Sequence, residues 1–195
     1  VEVVQTSIAI LVLVVAPLTL SCAQTDKAPR PSPPATARCT FDDGKVIATE
    51  YSSPRMEGRR IFGEVVPFGQ IWRTGAHQAT TFVTDTDLAV EGKEIPAGRY
   101  TLFTLPSVDR WTLIVSKETG EPGSPYPEGE DLIRVEMKVS MTETPLENFT
   151  IAYHRKDAVC SLVMSWERTE AAVDLAEKKL CWPTTSPLTY SCPNQ

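Results

Sequence analysis

The strongest constraint on the fold is an alternation of apolar and polar residues. Ile133, Val135, Met137, Val139 and Met141 are interleaved with Arg134, Glu136, Lys138 and Ser140. A period of two sends successive side chains to opposite faces, so this segment is a half-buried strand. Cys160, Leu162, Met164 and Trp166 repeat the pattern, as do Phe149, Ile151 and Tyr153, and Trp111, Leu113 and Val115. Further strands are expected over Lys45 to Tyr51, Thr80 to Thr84, Asp87 to Glu91, Arg99 to Leu105 and Thr169 to Leu175. The last of these has helix-favouring residues, but Ala171, Val173 and Leu175 alternate. Turn residues separate the runs at Glu91-Gly92-Lys93, Pro96-Ala97-Gly98 and Pro106-Ser107-Val108-Asp109. Glu118 to Asp131, rich in Gly, Pro and Glu, reads as a surface loop. Many short strands without a long amphipathic helix predict an all-β fold, a single antiparallel β-sandwich or jelly roll.

The flanks have a different character. Residues 8–15 are an unbroken apolar run that residues 16–20 extend, shorter than a membrane span and ending in Thr19-Leu20-Ser21-Cys22. Glu2 is the only charge before it. A short apolar core ending in small residues is a secretory signal, and the small residue before Cys22 resembles a bacterial lipobox. The expectation is a signal peptide over 1–22 with Cys22 lipidated. A plain secretory cut near Ala23 and an uncleaved anchor are the alternatives, and all three export the chain. Residues 23–37 hold Pro29, Pro31, Pro33 and Pro34 and read as an extended tether. The domain is expected over 38–179, followed by a Cys-, Pro- and Thr-bearing tail over 180–195. The lipid would make the membrane a partner, with the domain facing the periplasm or exterior of a bacterial cell envelope.

Export gives the cysteines a meaning. Of five, Cys22 is assigned to lipid, leaving Cys39, Cys160, Cys181 and Cys192 as an even set in an oxidising compartment. Four cysteines allow three pairings. Cys39–Cys160 is favoured because each lies at or in an expected strand; Cys181–Cys192 would then staple the tail. No Cys-x-x-Cys spacing is present and neither histidine lies near a cysteine pair, so no metal site and no cofactor is expected. A net charge of −6 argues against nucleic acid as a partner.

Residues 51–81 read Y-S-S-P-R-M-E-G-R-R-I-F-G-E-V-V-P-F-G-Q-I-W-R-T-G-A-H-Q-A-T-T. The stretch is too rich in Gly and Pro for a helix and too apolar for a solvated loop. It resembles the exported bacterial family known as domain of unknown function 2911. The likeness continues through Ala97-Gly98-Arg99-Tyr100-Thr101-Leu102-Phe103-Thr104-Leu105-Pro106 and Trp111-Thr112-Leu113-Ile114, and covers about residues 38–176. The family's usual G-A-N-E-A-T-T is here Gly75-Ala76-His77-Gln78-Ala79-Thr80-Thr81, which removes a carboxylate and adds an imidazole. The resemblance implies export and a β-rich fold, and no activity.

Within that stretch Gly58-Arg59-Arg60 and Trp72-Arg73-Thr74-Gly75 set guanidinium groups beside an indole. Arginine grips carboxylate or phosphate through its planar fork and stacks on aromatic faces. Arg59, Trp72 and Arg73 therefore form a candidate pocket for an anionic or sugar-like ligand. The competing reading is structural: loop arginines bond backbone carbonyls and Trp72 fills the core. His77 is the one histidine nearby. As a general base in a hydrolase it needs a partner, and Glu64 is the nearest plausible carboxylate in sequence. His154 falls on the polar face of its strand. No signature of a known nucleophile, metal or nucleotide site is present. The expectation is a non-enzymatic envelope lipoprotein binding a ligand or protein partner; a hydrolase-type enzyme and a purely structural envelope protein are the alternatives.

Overall fold

The computed structural model describes residues 32–119 and 125–178, and the backbone of 182–183 and 190–191. The signal segment 1–22 with Cys22, the tether up to residue 31, and Cys181 and Cys192 lie outside the described residues.

The chain runs through β1 (Pro34–Thr40), β2 (Val46–Ser52), β3 (Thr80–Thr84), β4 (Leu88–Val90), β5 (Lys93–Ile95), β6 (Gly98–Pro106), β7 (Arg110–Ser116), β8 (Asp131–Lys156) and β9 (Val159–Glu177). The architecture is all-β. All nine belong to one antiparallel sheet in the order β1-β2-β3-β6-β7-β8-β9-β4-β5, which is not closed into a barrel. A separate two-residue pair joins β10 (Trp182–Pro183) to β11 (Tyr190–Ser191). The first strand begins at Pro34, so residues 34–37, read as tether, are part of the sheet, and Ala37 is buried. Proline is tolerated there because β1 is an edge strand and begins with it.

The alternating residues supply the core. Cys39, Ile47, Phe82, Leu102, Trp111, Leu113, Val135, Met137, Phe149, Leu162 and Trp166 join one buried cluster. In β9 the inward positions change parity, from Leu162, Met164 and Trp166 to Ala171, Val173 and Leu175. The change occurs beside Glu167, which has φ of 54° and faces Leu146 where the β8–β9 register shifts. Extra residues on one strand re-aim its side chains without ending it. Two expected strands are therefore one bulged strand, and the same holds for β8. The β4–β5 hairpin turns through Glu91 and Gly92, both at positive φ (46° and 76°), the pairing that a tight two-residue hairpin requires.

The sheet folds back so that β1 and β2 meet the second half of β8 and the first residues of β9. Cys39 in β1 and Cys160 in β9 are joined by a disulfide with a Cα–Cα distance of 6.3 Å. The Thr49 and Tyr153 hydroxyls share a 2.6 Å hydrogen bond, and the Tyr51 hydroxyl accepts from the Ile151 amide at 3.0 Å. Burial pushes the Tyr51 phenol pKa up. These links bring the end of β2, the start of the Gly- and Pro-rich stretch, beside β8.

Candidate functional site

Residues 53–79 form no strand, yet they are pinned at both ends and in the middle. Single bridges tie Arg55 to Asn148, Phe62 to Val66, and Trp72 to Thr104. The amides of Ile61 and Phe62 donate to the Glu167 carboxylate at 3.3 and 3.4 Å. Ile61, Phe62 and Val66 are buried. This explains the composition: the segment caps the core with apolar side chains while glycines turn it.

The second half is the more tightly specified. Thr74 is fully buried and β-branched, and holds φ at 56°, a conformation that such residues rarely adopt. Its hydroxyl meets that of Thr104 at 3.1 Å, and the Thr80 hydroxyl donates to its carbonyl at 2.7 Å. Gly75 follows because a Cβ there would come within 3.0 Å of Thr80 Oγ1 and 3.1 Å of the Ser52 carbonyl. His77 has φ of 61°. Strained backbone held by a surrounding hydrogen-bond network is a pattern concentrated at functional positions.

Around this turn lies an open cavity of about 470 Å³. Arg59, Trp72, Arg73 and His77 all line it, and so do Arg55 and Trp166. The structure thus brings together the four residues singled out from the sequence and adds two. Three guanidinium groups face one carboxylate, Glu57, in a chain of net negative charge.

The arginines are not equivalent. Arg59 spends Nε on the Met56 carbonyl at 2.9 Å and Nη2 on the Arg55 carbonyl at 2.7 Å, with Glu57 at 3.6 Å. That is the loop-pinning arrangement. Arg73 is half-buried and uses one Nη1 on the His77 carbonyl at 3.1 Å. Arg55 is exposed, and its guanidinium forms no hydrogen bond or ion pair with another described residue. Trp72 packs on the core. Its ring stacks on Trp166 at 5.9 Å and 20°, meets Phe149 edge-on at 4.9 Å, and donates from Nε1 to the Gly75 carbonyl at 3.1 Å.

His77 is exposed, and its ring forms no hydrogen bond or ion pair among the described residues. Glu64, the carboxylate weighed as its partner, pairs instead with Arg60 at 3.8 Å. A general base needs an orienting partner, and this histidine has none among the described residues. His154 is exposed on β8.

Arg55 carried no signal in the sequence, being a single arginine after a proline. It enters the site because Asn148, far along the chain, holds its backbone. Trp166, on the apolar face of an alternating strand, is only 2% exposed, yet it lines the cavity.

A family model described as "Protein of unknown function (DUF2911)" matches residues 32–175. No curated protein and no solved structure matches the chain.

Proposed function

The chain belongs to the DUF2911 family of proteins of unknown function, and from that premise we propose that it is an envelope-anchored lipoprotein whose β domain holds a small anionic ligand. The observation that carries the binding reading is the convergence of Arg55, Arg59 and Arg73 on one open cavity beside a strained, glycine-bearing turn. Its volume falls within the range of about 300–1,000 Å³ typical of small-molecule sites. Guanidinium groups lining a cleft favour an anion through charge-assisted hydrogen bonds. The anchoring reading is supported by the lipobox-like end at Cys22 and by a domain disulfide, which persists in an oxidising compartment.

Binding is tested by tryptophan fluorescence, since Trp72 and Trp166 both line the cavity. A panel of organic acids and acidic sugars is titrated into the wild type and Arg73→Ala. Losing a hydrogen bond to a charged group costs about 1.5–3 kcal/mol, so the variant is expected to bind a hit about 10- to 100-fold more weakly. Equal affinity in both proteins would refute the site.

Anchoring is tested separately in cells. Cys22→Ala is expected to move the protein from the membrane fraction to the soluble fraction and to abolish labelling by radioactive palmitate. Persistence of both would remove the lipid.

A further inference from the structure

Resting on the anion-binding reading, we infer that the ligand is an amphiphilic organic anion, with its head on Arg55 and Arg73 and an apolar aryl or branched-alkyl body on the cavity floor. A polyhydroxylated sugar matches this surface less well.

The head group follows from the count of unused donors. Arg59 has committed Nε and Nη2 to backbone carbonyls and lies beside Glu57. Arg73 has one donor committed. Arg55 has none engaged by a described residue. Each guanidinium has five N–H donors, so Arg55 and Arg73 offer the unspent forks that bind carboxylate or phosphate oxygens. Their backbones are fixed independently, Arg55 by the bridge to Asn148 and Arg73 between the Trp72 bridge and the buried Thr74.

The body follows from what the floor lacks. Both indole N–H groups are spent, that of Trp72 on the Gly75 carbonyl and that of Trp166 on the Glu147 carbonyl at 3.2 Å. One face of Trp72 is covered by Trp166, so the stacking platform a sugar ring needs is occupied on that side. The two indoles, Val66 and the half-exposed Val65 give the cavity an apolar side, beside the Ser32 hydroxyl and the His77 ring. A sugar hydroxyl must donate as well as accept. Arginine accepts nothing, Glu57, the only carboxylate among the described residues lining the cavity, already faces Arg59, and the Ser32 hydroxyl and the His77 ring are the side-chain acceptors left. A polyhydroxylated ring carries more hydroxyls than these acceptors serve, and any that lose water against the apolar side weaken binding, whereas an aryl or branched-alkyl body gains from that contact.

The test titrates four probes by calorimetry: 3-phenylpropionate, phenyl phosphate, 3-phenylpropionamide and glucuronate. One or both aryl anions are expected to bind at least tenfold tighter than glucuronate, with the neutral amide at least tenfold weaker than its acid. The stronger aryl anion identifies the head group. Arg55→Gln, at an exposed position, is expected to melt as the wild type does and to lose at least tenfold in affinity for that anion. Glucuronate binding as tightly as the aryl anions would overturn this inference and leave the anion site standing. Undiminished binding in Arg55→Gln would overturn the assigned anchor. No binding by any anion would overturn both this inference and the reading beneath it.

Discussion

Removing the Cys39–Cys160 bond is expected to lower the unfolding free energy by about 4–5 kcal/mol in the chain-entropy account. The two cysteines are 121 residues apart, so the bond closes nearly the whole domain into a loop, and long loops restrict the unfolded chain most. Whole domains have about 5–15 kcal/mol in reserve, so this one bond accounts for about a quarter of it or more. The effect is also local. Cys39 lies in β1, an edge strand hydrogen-bonded only to β2. Without the bond, β1 keeps that one ladder and its packing around Ala37, and it is expected to be the first strand to exchange its amides. Urea unfolding of the oxidised protein, the protein in reductant and Cys39→Ala/Cys160→Ala measures this. The midpoint should fall, and the denaturant slope should rise because the uncrosslinked chain exposes more surface. Coincident curves would mean that the reduced denatured state already keeps the two ends together.

The parts of the fold that were legible in the sequence are those where burial alternates. Ile133, Val135 and Met137 face inward because a strand with one face on the core has no other way to place them. The alternation does not say that two segments are one strand. Trp166 and Ala171 belong to different parities, and only the bulge at Glu167 makes them continuous. Local pattern also failed at the start of the domain. Pro34 reads as tether, yet β1 begins there because Pro34 lies opposite Ser52, a pairing set by the length of β2. The site divides in the same way. Arg59, Trp72, Arg73 and His77 stand out because glycines and aromatics surround them in the chain, and they do share a cavity. Their roles were not legible, since those depend on partners distant in sequence. Arg59 turns inward on its own loop, Trp72 is taken up by Trp166 and Phe149, and Arg55 contributes the unspent charge.

Trp166→Ala is expected to cost about 3–5 kcal/mol, the usual range for truncating a large buried aromatic. The ring lies against Trp72, Phe62 and Phe149 at centroid distances of 5.9, 6.2 and 5.8 Å, so its loss unpacks the join between the loop and β9. It also removes part of the cavity floor, so ligand affinity should fall together with stability. A phenylalanine scan separates packing from hydrogen bonding. The Trp166 indole N–H donates to the Glu147 carbonyl at 3.2 Å, whereas the Trp111 N–H is buried without an acceptor among the described residues. Trp111→Phe therefore loses area but releases an unsatisfied donor, whose burial costs about 1–3 kcal/mol. Trp166→Phe loses comparable area and a satisfied bond worth about 0.5–1.5 kcal/mol. The Glu147 carbonyl is not stranded, because the Met56 amide still donates to it at 2.8 Å. Urea unfolding should therefore rank Trp166→Ala as most destabilised, Trp166→Phe next and Trp111→Phe least. If Trp111→Phe proved the costlier of the two phenylalanine variants, the Trp111 N–H would have to be engaged, with the electron-rich face of Phe62 at 4.9 Å the acceptor within reach.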